Sequence, residues 1–283
     1  MKMKNKGSIL VLLGAIAFSL GGLLIKLIPL DPFTINTFRC IFSSLVIGLY
    51  MKLTHHKLVI NKTVIIGTIF VVLMMMGYVF SNKLTTAANA IVLEYTAPIL
   101  VIIFEAILFK RKPDKVSIVI CILVILGIVI MMMDGLSTGN LLGDMIALSS
   151  GVFYALVMML NEFDDSDSLS SVFLGHLFTG LLSIFIYQNV ISSGINTIML
   201  LVALGIFQAG LGYTLLMVGL KHCDPVTGSL IACIEPVLNP ILVAIFYGEY
   251  MNTTQIIGCV VVIGSIVVYN ILASRTNQYH EDI

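Results

Sequence analysis

Charge is scarce in this 283-residue chain and tryptophan is missing: Lys, Arg, Asp and Glu supply 11% of the residues, against 59% hydrophobic ones. Soluble domains carry about 25% charged residues, so an ordinary soluble fold is excluded. The mean hydropathy of +1.08 agrees. Fifteen basic and fifteen acidic residues cancel, which removes the positive surplus of a nucleic-acid-binding protein. Cysteine is limited to Cys40, Cys121, Cys223, Cys233 and Cys259, four of them inside apolar runs and none at paired metal-ligand spacing. They read as small core residues. No HExxH, Walker or dinucleotide-binding pattern occurs. Gly135-Leu136-Ser137-Thr138-Gly139 matches a nucleophile elbow in letters only, because that motif needs a strand-to-helix turn in an α/β sheet. No enzyme, cofactor or metal site is expected.

Long apolar runs are what the chain does have. Their lengths and flanking polar, Pro or Gly residues predict helices near 8–28, 34–51, 63–82, 87–109, 115–133, 141–160, 169–188, 197–220, 225–247 and 253–273. A spanning helix takes about 20 residues, so ten use about 200 and leave about 80 for short loops and none for a soluble domain. The first run follows Lys2, Lys4 and Lys6 as a signal peptide would. It is too long for a signal core and lacks a small-residue cleavage site, so it reads as a retained helix.

Basic residues accumulate on the cytoplasmic side of short loops. With the N-terminus inside, the inner segments hold Lys2, Lys4, Lys6, Lys52, Lys57, Lys62, Lys110, Arg111, Lys112, Lys115, Lys221 and Arg275, twelve of the fifteen Lys and Arg. Both termini are then cytoplasmic, in a multi-pass protein of the cell membrane. The acidic loop Asn161 to Asp167 has no basic residue, but acids contribute little to this rule.

A shift of 138 places Lys83 on Lys221, Gly67 on Gly205 and Pro98 on Pro236; a shift of 137 places Gly127 on Gly264 and Arg39 on His176. The halves correspond. Five helices is an odd number, so the second half enters the membrane from the opposite side, an inverted repeat. The expected fold is all-α and polytopic, ten transmembrane helices in two five-helix repeats, 1–136 and 137–283.

Intramembrane acids and amides are costly and normally face protein or a water-filled path. Glu235 lies near the middle of its helix beside Pro236 and Asn239, which makes it the first candidate for exchanging a proton or holding a solute. Glu94 and Arg39 lie at matching depth, about 10 Å from one membrane face at 1.5 Å per residue. They could meet as a structural ion pair or form a gate for a charged or zwitterionic solute. Glu105 shares a helix face with Glu94 about 16 Å away, or it snorkels to the basic cluster at Lys110. His176 is a satisfied core histidine or a proton relay, and Gln208 needs a partner from a helix or a polar solute. Tyr78, Tyr95, Tyr154 and Tyr213, with Phe18 and Phe153, are packing residues or cavity walls. The fifteen methionines suit adaptable packing.

Residues Leu204 to Asn270 carry the strongest resemblance to a known family. A glycine-opened helix, a Leu220-Lys221 turn, a small-residue helix with Glu235-Pro236, a Gly248-Glu249 corner and a Gly-punctuated last helix resemble the EamA type of the drug/metabolite transporter superfamily. The rest of the chain is a weaker echo. Phe109-Lys110 stands where the family usually has Gly-Glu, and Phe18 and Phe153 stand where it often has tryptophan. The resemblance implies a secondary carrier working by alternating access, with export of amino acids, related metabolites or amphipathic drugs leading, and with protons, a small-molecule substrate and the lipid bilayer as partners. A homodimer is left open. The rivals are an intramembrane enzyme, for which no nucleophile and base pair up, and a channel or non-transporting sensor.

Overall fold

The computed structural model describes residues 2–85, 87–133, 140–185, 190–247 and 252–281. Among them every regular element is helical: α1 (Lys2–Phe18), α2 (Leu20–Leu27), α3 (Pro32–Leu53), α4 (Lys62–Leu84), α5 (Ala87–Glu94), α6 (Ala97–Leu108), α7 (Lys115–Met132), α8 (Leu141–Met158), α9 (Ser168–Leu181), α10 (Ile195–Ala203), a π-helical segment (Leu204–Leu211), α11 (Gly212–Leu220), α12 (Pro225–Ala232), α13 (Glu235–Tyr247) and α14 (Thr253–Glu281), with short 3₁₀ turns between. Capping side chains fix many of the starts, by accepting from backbone N–H groups that an α-helix leaves unpaired. Asp31, Asn61, Asp114, Asn140, Asp167 and Asp224 cap α3, α4, α7, α8, α9 and α12, at 2.7–3.1 Å.

Seven apolar stretches are long enough to cross a bilayer: Lys6–Ile25, Pro32–Leu53, Lys62–Leu84, Asn89–Leu108, Leu141–Met158, Ser168–Phe185 and Ile195–Leu220. Three more, Lys115–Ile130, Pro225–Leu238 and Thr253–Tyr269, are shorter. The chain is thus a polytopic membrane protein. Its polarity is that of a lipid-embedded bundle: Leu45, Ile69, Val119, Phe185 and Val260 are more than half exposed, while Asn36, Arg39, Ser150, His176 and Gln208 are buried.

Two continuous helices of the sequence reading are broken in the structure at matching places. Tyr95 and Thr96 separate α5 from α6, and Cys233 and Ile234 separate α12 from α13, positions that differ by the sequence shift of 138. The cause is Pro98 and Pro236, which lack an N–H and leave the carbonyl four residues back without its helical partner. The break at Ser19 and the π turn at Leu204–Leu211 have no such counterpart in the other half, and the sequence reading did not anticipate them.

Packing partners also match between the halves. The α4–α8 contact is mirrored by α11–α1, α3 on the π segment by α9 on α4, and α5 and α6 on α8 by α12 and α13 on α1. The α3–α9 and α7–α14 contacts each join equivalent helices. The two halves are therefore interleaved along a seam.

Candidate functional site

A cavity of about 30 Å³ lies on that seam, lined by Phe18, Arg39, Met74, Tyr78, Glu94 and Tyr95 of the first half and by Tyr154, Gln208, Tyr213 and Glu235 of the second. The breaks in the α5/α6 and α12/α13 helices bring Glu94, Tyr95 and Glu235 to it, since each lies in or beside a broken turn. The π segment brings Gln208, the extra residue per turn re-aiming its side chain as such segments commonly do at functional sites. Gly21 leaves the space that two polar groups occupy: a Cβ there would lie 3.1 Å from Gln208 Nε2 and 3.2 Å from the Tyr78 hydroxyl.

Arg39 is 1% exposed. Its Nη2 donates to Asn36 Oδ1 at 3.0 Å, and its guanidinium carbon lies 5.9 Å from the centre of the Tyr78 ring, within cation–π range. Glu94 Oε1 lies 2.8 Å from Ser150 Oγ. Arg39 and Glu94 share the chamber but form no ion pair: each is held by a neutral partner, which corrects the paired alternative. The Tyr95 hydroxyl lies beside the Glu235 carboxyl, close enough to interact, yet completes no hydrogen bond of ordinary geometry.

Buried polar atoms normally have partners. Around this chamber Arg39 Nε, the Tyr95 and Tyr154 hydroxyls and Gln208 Oε1 have none. Four unpartnered atoms, one of them on Arg39, and the Glu94 and Glu235 carboxyls converge on a space that holds about one water. Small-molecule sites are usually about 300–1,000 Å³, so this cavity of about 30 Å³ is far smaller than a solute site.

The remaining candidates fall elsewhere. His176 does not line the cavity; it is fully buried behind Tyr213, with ring centres 4.9 Å apart. Its Nδ1 is 2.8 Å from the Val172 carbonyl. The Asn239 side chain lies outside the described residues. Phe18 lines the chamber edge-on to Tyr213 at 4.7 Å, whereas its counterpart Phe153 packs on Phe70 at 6.1 Å. Glu105 snorkels: it pairs with Arg111 at 3.2 Å, and Arg111 also reaches Glu162 at 2.6 Å. Sequence reasoning missed Asn36 and Ser150, which hold Arg39 and Glu94. The i, i+3 spacing of Asn36 and Arg39 was a usable signal.

Both halves match one family model: residues 5–133 and 141–271 each fit the EamA-like transporter family. This chain belongs to that family. An uncharacterized transporter of Clostridium kluyveri is 27% identical, the match covering 94% of each chain. A crystal structure of a protein 19% identical in sequence superposes with a TM-score of 0.80, covering 96% of this chain and 99% of the other, and shows the fold. The EamA-like assignment makes the chain a membrane transporter, and its central chamber is the seam between the two family repeats.

At the end of the bundle holding residues 54–61, 109–114, 159–167 and 221–224, polar contacts cross the same seam. Asp167, the cap of α9, meets His56 Nε2 of the first half at 3.0 Å and, within its own half, Lys221 Nζ at 3.7 Å. Asn61 donates to the Asp165 carbonyl at 2.6 Å, and the Val59 N–H to Ser170 Oγ at 3.0 Å. Burial raises the Asp167 carboxyl, but the hydrogen bonds from Ser170 and His56 and the Lys221 charge outweigh it and hold it below the usual 3.8.

Proposed function

We propose that this EamA-like transporter is a secondary carrier, an exporter of a small organic solute such as an amino acid, a related metabolite or an amphipathic drug, working by alternating access. Ten spans in two inverted five-helix repeats, 1–136 and 137–283, would rock about the chamber. The cell membrane would hold the protein with both termini cytoplasmic, so that the end fastened by Asp167 faces inward. The observation that carries the proposal is the convergence of Arg39, Glu94, Glu235 and four unpartnered polar atoms at the seam. One cation opposite two carboxyls suits a solute with both a carboxylate and an ammonium group, and the tyrosines would wall its apolar part. Because the cavity is far smaller than a solute site, solute entry requires the halves to part.

Glu235 and Glu94 are the groups proposed to couple transport to protons. The test is counterflow and pH-driven flux in proteoliposomes, with solutes first screened by thermal shift, since a specific ligand raises apparent stability by mass action. Saturable counterflow supports a carrier over a channel or sensor. Flux that ignores an imposed pH gradient and survives both Glu94→Gln and Glu235→Gln removes the coupling. Chemical conversion of a solute in detergent would instead favour an intramembrane enzyme.

A further inference from the structure

Ser150 of α8 reaches across the seam into the first half. Its hydroxyl oxygen lies 2.8 Å from Glu94 Oε1 and 3.1 Å from the Met74 carbonyl oxygen of α4. A serine hydroxyl has one proton to donate and lone pairs to accept with. It cannot donate fully to both oxygens at once. Both contacts are complete only when the Glu94 O–H donates to Ser150 and Ser150 donates to Met74.

We propose that Ser150 is a positioning residue that accepts from protonated Glu94 and ties it, through the Met74 carbonyl, to the α4–α8 contact between the halves. Ionisation reverses the tie. The Glu94 proton leaves into the chamber, the Ser150 hydroxyl turns to donate to the carboxylate, and Met74 loses its cross-seam donor. One bond between α8 and α4 is exchanged for a stronger charge-assisted bond between α8 and α5.

The packing gives this exchange little slack. A Cβ on Gly77 of α4 would lie 3.0 Å from Ser150 Cβ, and a Cβ on Gly151 of α8 would lie 2.8 Å from the Glu94 carbonyl oxygen. The Ser150-Gly151 pair is wedged between two elements of the first half. The other titratable or charged groups sharing the chamber with Glu94 are Arg39 from α3, Tyr78 from α4, Tyr95 at the end of α5, Tyr154 from α8, Tyr213 from α11 and Glu235 from α13. Among the described residues only Ser150 hydrogen-bonds the Glu94 side chain.

The functional meaning of this switch rests on the carrier reading; the hydrogen-bond chain itself does not. Infrared spectra of the full-length protein in lipid test it through the carbonyl stretch of a protonated carboxylic acid. A band at neutral pH that is lost in Glu94→Gln and moves to the higher frequency of an unbonded acid in Ser150→Ala is the expected result. Ser150→Cys, whose thiol bonds weakly, should fall between and serves if the alanine variant does not fold. A wild-type spectrum without a Glu94 acid band, or a band unmoved in both Ser150 variants, overturns the assignment. Bands that behave as expected in a protein whose transport ignores the pH gradient support the Ser150 assignment and reject proton coupling.

Discussion

Replacing Asp167 separates two contributions that one carboxylate makes at the fastened end of the bundle. It caps α9 by accepting from the Ser170 N–H at 2.7 Å, and it pairs with His56 across the seam and with Lys221 of its own half. A lost cap costs about 1 kcal/mol. The pairs are partly exposed, Lys221 by 34%, so together they contribute on the order of 1 kcal/mol after solvent screening. Asp167→Ala should lose both, about 2 kcal/mol or on the order of 5 °C in Tm. Asp167→Asn keeps an equally good cap and should lose only the charge share, roughly half as much. Unfolding can be followed with a thiol-reactive fluorogenic dye, because all five cysteines are buried. The pH dependence has a definite sign. A carboxyl held below 3.8 contributes stability that is present above that value and disappears as pH falls through its lower folded pKa. The gap between wild type and Asp167→Asn should therefore close as pH falls below about 4. Equal losses for Ala and Asn would refute the cap share, and two variants indistinguishable from wild type would refute the latch.

Three further outcomes are expected. Gly151→Ala drives a methyl to 2.8 Å from the Glu94 carbonyl oxygen and should cost about 1–3 kcal/mol by overpacking, whereas Gly264→Ala, which meets nothing within 4 Å, should leave the melting curve unchanged or slightly raised. Arg111→Ala removes two ion pairs from a side chain 50% exposed and should cost less than about 1 kcal/mol; a larger drop in the same dye assay would show that the pairs act as a network. Gln208→Met removes a chamber amide without shortening the side chain, so KM for the transported solute should rise at least tenfold while the thermal transition stays within a degree or two of wild type.

Much of the chamber was legible because hydrocarbon makes polar residues conspicuous. Glu94, Arg39, Gln208 and Glu235 stand out in apolar runs, and the structure gathers them with Tyr78, Tyr95, Tyr154 and Tyr213 around one space. The repeat shift was legible too, and it coincides with the breaks at Tyr95-Thr96 and Cys233-Ile234. What was hidden depends on tertiary contact. Ser150 looks like any small helix-packing residue, and only the approach of α4 and α5 makes its hydroxyl matter. Arg39 and Glu94 match in depth, but depth along two helices says nothing of azimuth, so an ion pair stayed open beside a gate where the structure has Asn36 and Ser150 as the partners. His176 is equally deep, yet it is turned behind Tyr213.

Asp31 and Asp167 are the same cap in the two halves, each opening the second helix of its repeat. Asp167 is additionally pinned by an imidazole and an ammonium group from other loops, while Asp31 meets no basic side chain among the described residues and bonds Thr34 of its own helix. If the two ends act as the opposite gates of the proposed carrier, being capped alike but bolted unequally gives it a preferred idle posture. Under the alternating-access proposal, the cycle would then have an uphill and a downhill stroke even with no gradient present.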